Sequence, residues 1–291
     1  MRGVSQNDQE EEHSPAEAAW EDQDQEPGPE DEVLDEAWEA LDAGDSKRAL
    51  SKLEQLDEDW PERWIPEALA RVDLGELRRA RAVLEQAEQF EDLGTQPEYL
   101  WAKAQLLLCE WRFGEARELL GKLLTMERTA PVLERLSLVA EMEGDFETAE
   151  GMLDEAIALD PHFAHAPRLS QEEFEAEVEA AVKALPREFQ KGLENCEVLI
   201  DAMPSGWMLE PGDPASTPPE LLGLFVGAPN TEASADENAE LPPRIFLFQR
   251  NLERAARDQA ALREEIRVTL YHEIGHLLGF DEEGVAEMGL E

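Results

Sequence analysis

The chain has 291 residues, long enough for about two domains, and 69 acidic side chains against 25 basic ones give it a formal charge of −44. That excess excludes nucleic acid and anionic membrane surfaces as partners and favours basic ones. Two isolated cysteines, Cys109 and Cys196, make neither a disulfide framework nor a zinc quartet; with no apolar leader and no run of eighteen apolar residues, the expectation is a cytoplasmic protein in a reducing compartment that does not enter a membrane.

Residues 1–32 hold twelve Asp and Glu, one basic residue, Arg2, and the late prolines Pro27 and Pro29. So charged a segment with so few apolar residues cannot offset its ordering entropy, and a disordered acidic tail is expected. From Val33 the sequence becomes helical and repeats itself. Ala49, Ala80, Ala116 and Ala149 recur at intervals of 31, 36 and 33 residues, each preceded twelve residues earlier by a small side chain (Ala37, Ala68, Ala104, Ser137) and followed four later by a leucine (Leu53, Leu84, Leu120, Leu153). Small residues at both places let antiparallel helices approach closely, and the leucines fill the space between neighbouring pairs. Turn signals stand at Gly44-Asp45, Gly75-Glu76, Arg112-Phe113-Gly114 and Gly144-Asp145-Phe146.

This pattern resembles the tetratricopeptide repeat, most clearly from Gly144 to Pro161, where Gly-Asp-Phe-Glu-Thr-Ala leads to Ala-Ile-Ala-Leu-Asp-Pro. The first three units are looser: Pro61 and Pro66 interrupt the start of the second, and the third lacks the glycine before its aromatic. The resemblance implies an all-α solenoid over residues 33–167 with a concave surface for a peptide or protein partner, and no catalysis. A bracing role for the second domain is the plainer alternative.

Asp160 to Pro167 carries His162 and His165, whose flanking prolines mark a linker rather than a metal site. A second domain, residues 168–291, opens with Ser170 and Glu173 as a capping box for a helix with Phe174, Val178, Ala181 and Val182 on its apolar face. Residues 196–201, 222–226 and 244–248 read as buried strands, separated by two loops rich in Pro, Gly and acids. The last could instead be an edge strand that pairs with an extended peptide. Leu262, Ile266, Leu270, Ile274 and Leu278 then repeat every fourth residue, so a helix of about five turns is predicted to end at Gly279.

Its last turns carry Tyr271-His272-Glu273-Ile274-Gly275-His276, an H-E-x-x-H motif. Residues four apart share a helix face, so His272 and His276 can aim at one zinc ion (Zn2+), while Glu273 is placed to take a proton from a metal-bound water. Beyond Gly279 the acids Asp281, Glu282 and Glu283 offer a third ligand, and the count through the glycine selects Glu282. That is a hydrolase's arrangement. Gly275, costly inside a helix, suggests close packing of another backbone.

The same region resembles the bacterial zincin-like metallopeptidases, the minimal zincins, in separate blocks that agree in order: Phe174 to Pro186, Leu222 to Gly227, Leu241 to Phe248 and Thr269 to His276. The resemblance implies a small α+β peptidase fold with about three strands and the two histidines as zinc ligands. It also implies Asp at the third-ligand position, where this chain has Glu282. The metzincins, whose motif is also similar, use a third histidine and a methionine turn; Met288 is not assigned that role. The expected whole is therefore multidomain, an α-solenoid followed by an α+β zinc peptidase acting on peptide or protein substrate. The alternative is a non-enzymatic adaptor in which zinc only holds a small domain together. No oxyanion donor is assigned, since Tyr271 points away from the ligand face and Arg244 and Arg267 belong to the surface. Nothing in the sequence specifies an oligomeric state.

Overall fold

A computed structural model describes residues 28–90, 93–164, 168–209, 217–227 and 242–280. Eight helices come first, as four antiparallel pairs: α1 (Pro29–Asp42) with α2 (Ser46–Leu53), α3 (Trp64–Asp73) with α4 (Leu77–Ala87), α5 (Pro97–Cys109) with α6 (Phe113–Met126), and α7 (Ala130–Met142) with α8 (Phe146–Leu159). The small residues of the repeat are what the pairs close upon. Ala37, Ala49, Ala68, Ala80, Ala104, Ala116, Ser137 and Ala149 are all essentially inaccessible, and so are Leu53, Leu84, Leu120 and Leu153. Each such leucine stabilises the stack by roughly 1.5–3 kcal/mol.

Differences from the sequence reading are local. Residues 29–32, expected in the tail, form the first turn of α1, because Pro29 is preorganised for a first helical position and Glu30, Asp31 and Glu32 suit the positive end of the helix dipole. The rest of the expected tail lies outside the described residues. Pro61 begins a short 3-10 turn and Pro66 sits in the first turn of α3, where no intrahelical N–H bond is lost. In the third unit the missing glycine matters. Gly44, Gly75 and Gly144 turn between paired helices with φ of 74°, 71° and 81°, and Trp111 adopts φ 58° at the equivalent place, a left-handed conformation that bulky residues rarely take.

The C-terminal part opens with α9 (Gln171–Ala184), whose Ser170–Glu173 capping box is present as expected, and continues through α10 (Arg187–Gly192) and β1 (Glu197–Asp201). Then follow β2 (Gly223–Val226), β3 (Arg244–Phe248), α11 (Gln249–Ala255) and α12 (Gln259–Leu277). Helices α10 and α11 are too short to show a periodic pattern and were not expected. The sheet order is β1-β3-β2, with β1 parallel and β2 antiparallel to β3. Thus residues 244–248 form the central strand and β2 an edge. Ile245 and Leu247 face the core shared with Phe174 and Val178 of α9 and with Leu262, Ile266, Leu270 and Ile274 of α12; Phe246 and Phe248 face Met208 on the other side. Among the described residues no helix is long and apolar enough to cross a membrane.

The two parts meet through buried charge. Arg254 of α11 pairs with Glu134 and Glu141 of α7; Arg168 pairs with Glu141, Glu150 and Glu253, each at 3.0 Å; and Arg250 pairs with Glu150. The Glu141 and Glu253 side chains are fully buried. Farther along, Arg135 of α7 pairs with Glu220, and Trp111 Nε1 donates to the Thr217 carbonyl at 2.8 Å, so the repeats hold the segment that leads into β2.

Candidate active site

Helix α12 is anchored by its buried stripe, and this fixes which face its last turns present to the rest of the domain. Asp258 caps its start by accepting from the Ala260 and Ala261 N–H groups at 2.9 Å. At its other end Gly279, with φ 91°, closes a Schellman turn: its N–H donates to the His276 carbonyl at 2.9 Å, and the Phe280 N–H donates to the Gly275 carbonyl at 3.1 Å.

That turn also orients His276. The Phe280 carbonyl comes back over the helix end and lies 3.1 Å from His276 Nδ1. A carbonyl can only accept, so Nδ1 is the donor, and of the two neutral tautomers this contact selects the one with its lone pair on Nε2. His276 Nε2 stands 3.1 Å from His272 Nε2, with the two rings nearly perpendicular at 80°. Both histidines are half-buried.

Glu273 is on the same helical turn but buried, at 6% exposure. It is pressed against β2: a β-carbon on Gly223 would lie 3.1 Å from both Glu273 Cγ and Oε1, and 2.6 Å from Thr269 Cγ2. Tyr271 points elsewhere, as its position in the motif requires, with its ring 5.7 Å from that of Phe189 and under the Arg267 guanidinium. Arg267 pairs with Glu264 and Arg244 with Glu197 at the surface. The structure thus brings His272 and His276 together, with Glu273 on the same helical turn but packed against β2. Asp281, Glu282, Glu283 and Met288 lie outside the described residues, within which no group of three or more His, Cys, Asp and Glu is arranged to hold a metal.

Two contributors escaped the sequence reading. The Phe280 carbonyl leaves no side-chain signature, although a glycine three residues after His276 implies a backbone that folds back there. Gly223 had a signal, since an isolated glycine within a strand marks close approach of a neighbour. Burial pushes the Cys109 thiol up to about 12 and the Cys196 thiol up to about 11, which disfavours the thiolate at both.

Residues 193–290 match a family model described as zincin-like metallopeptidase. That match covers about a third of the chain, from just before β1 through α12 and beyond. Among solved structures, MamA AMB-1 is similar at 21% identity, over 45% of this chain and 73% of that one, with a TM-score of 0.36 that is too low to carry an argument. No curated protein matches the chain. The chain is an array of four helix pairs followed by an α+β part over which the zincin-like model matches.

Proposed function

We propose that residues 168–291 form a zinc-dependent peptidase unit and that the repeats of residues 33–167 gather its protein substrate or a protein partner. One observation carries this reading: the Nε2 atoms of His272 and His276 converge to 3.1 Å while the Phe280 carbonyl holds the His276 tautomer. Two nitrogens bound to one tetrahedral zinc at about 2.0–2.1 Å stand roughly 3.3–3.4 Å apart, so the pair fits the ion with a small adjustment. The zincin-like match supports zinc over other divalent ions, and Glu282 is the third ligand in this reading.

When bound, zinc would polarise the scissile carbonyl and bring the pKa of water toward neutrality. Glu273 accepts the proton of the attacking water and passes it to the leaving amine. Its packing against Gly223 and Thr269 restricts the carboxylate's rotamers and holds it ready for that transfer. Because β3 is central, β1 and β2 are the edges among the described residues, and β2 is the one that runs beside Glu273 and would receive an extended substrate.

Metal analysis of the purified protein combined with a peptide-library cleavage assay tests the proposal. Glu273→Gln is expected to keep stoichiometric zinc and lose hydrolysis. Unchanged turnover in that variant, or zinc-loaded wild type that cleaves nothing across a broad library, would instead favour the adaptor.

A further inference from the structure

The inner helices of the first, second, third and fourth pairs, with the end of α6, enclose a groove of about 690 Å³. Its walls combine two chemistries. Trp38, Leu69, Trp101 and Val132 supply apolar surface, whereas Asp42, Asp73, Glu98 and Glu127 supply carboxylates. The one cation on the wall, Arg135, is already engaged by Glu134 and Glu220. None of the four carboxylates enters an ion pair among the described residues; Asp73 only accepts from the Ser46 hydroxyl, at 2.8 Å. All four are exposed. Four uncompensated negative charges in one concavity attract a cationic ligand more strongly than the same charges on a convex surface, because the low-dielectric walls focus the field.

A third feature concerns the backbone. Gln105 of α5 lines the groove, and its Nε2 is buried without a hydrogen-bond partner. Buried amide donors are normally satisfied, so this one points to a missing acceptor. A peptide carbonyl supplies such an acceptor, and an extended peptide also offers side chains to both walls.

We infer that this groove binds an extended polypeptide segment in which Lys or Arg alternates with aromatic or aliphatic residues, and that this segment belongs to the protein whose cleavage is proposed above. The acidic N-terminal residues of the chain itself are excluded as occupant by like charge. Only the link to cleavage rests on the peptidase reading; the binding does not. The groove's Arg135 is paired with Glu220, just before the edge strand β2, so a segment held there keeps the adjoining substrate chain near the site. The expected gain is one of effective concentration, with no change in the chemistry.

The experiment uses the full-length Glu273→Gln protein, which binds without cleaving, and three fluorescein-labelled twelve-residue probes. One alternates Leu or Phe with Lys or Arg, the second replaces each cation by Glu, and the third replaces each apolar residue by Ser. Fluorescence anisotropy is expected to show the first bound at least tenfold more tightly than either control, with affinity falling as salt rises. Because Asp42 and Glu98 are exposed, Asp42→Asn with Glu98→Gln leaves the fold intact and is expected to weaken the first probe several-fold. Gln105→Leu is expected to weaken all cationic probes irrespective of salt. Equal binding of the acidic probe, or indifference of the first probe to all three substitutions, overturns the inference. So does loss of binding on His272→Ala alone, which would put the probe at the histidines. Each readout is independent of hydrolysis, so a protein that cleaves nothing can still pass this test, and an active peptidase can still fail it.

Discussion

Gly223 packs so closely under Glu273 that a methyl group on it would crowd the Glu273 side chain and collide with Thr269 beside it. A β-carbon at position 223 falls 3.1 Å from Glu273 Cγ and 2.6 Å from Thr269 Cγ2, the second being a distance that real side chains do not adopt. Edge strand and motif helix therefore register against each other through bare backbone, and the glycine sets where the Glu273 carboxylate lies.

Gly223→Ala is accordingly expected to cost about 1–3 kcal/mol of stability, as overpacking does, and to lower kcat of any peptide cleavage more than it raises KM, with zinc retained. Adding Thr269→Ser removes the methyl that clashes worst and is expected to recover part of the stability. Thermal melts of the single and double variants, with cleavage of one fixed peptide, check this. Full stability of Gly223→Ala would mean that β2 does not press on the helix.

Much of this arrangement was readable in the chain. The stripe Leu262, Ile266, Leu270, Ile274 fixed both the helix and its buried face, and the spacing of His272 and His276 followed from 3.6 residues per turn. Ala and Leu recurrence likewise fixed the helix pairs. The edge and centre of the sheet were not readable, because residues 222–226 and 244–248 are both short apolar runs and strand order depends on contacts across the fold. Nor was the junction between the two parts. Its charges, Arg168, Arg250 and Arg254 against Glu134, Glu141 and Glu150, look on the sequence like any solvated helix faces, since pairing partners 18 to 120 residues apart leave no local pattern.

The buried Glu141 carboxylate serves both Arg168 and Arg254. Its removal in Glu141→Ala leaves two buried guanidinium groups short of counter-charge, and the expected loss is about 3–5 kcal/mol in urea denaturation. Acid should act on the same junction. Burial raises the Glu150 pKa, but the neighbouring Arg168 and Arg250 outweigh this and leave it below its ordinary 4.5. A depressed folded pKa means stability that is complete above the unfolded value and lost as pH falls through the folded one. Melting temperature is thus expected to drop below about pH 4.5 through this group. Glu150→Gln should be less stable at pH 7 and flatter over the acidic range; parallel pH profiles for the two proteins would remove Glu150 from the junction's acid response.

Trp111 sets two effects against each other. Its left-handed backbone, φ 58°, costs about 1–2 kcal/mol, which glycine would relieve. Its ring contact with Phe113 and its bond to the Thr217 carbonyl are lost in the same change; burial of a large side chain and one hydrogen bond together are worth about 2–4 kcal/mol. Side-chain loss should win, so Trp111→Gly is expected to be less stable than wild type by about 1–2 kcal/mol. Trp111→Phe keeps the ring and deletes only the donor. Hydrogen exchange of residues 217–222 should quicken in both variants, and unchanged exchange would show that the repeats do not hold the approach to β2.

The third ligand, Glu282, is the sharpest test of the proposed metal centre. Gly279 turns the chain back at the helix end and brings the Phe280 carbonyl to His276 Nδ1. Counting three from the glycine selects Glu282. Asp281 is one residue earlier in that count and has the shorter side chain; Glu283 is one later. Glu282→Ala is therefore expected to weaken zinc by more than the roughly 10–100-fold that losing a supporting hydrogen bond to a ligand costs, whereas Asp281→Ala and Glu283→Ala stay close to wild type. Glu282→Asp, which restores the family's acid with one methylene fewer, should regain most of the affinity. Competition with a chelator of known zinc affinity measures all four variants. A larger loss from Asp281→Ala than from Glu282→Ala would transfer the role to Asp281 and leave His272, His276 and Glu273 with theirs.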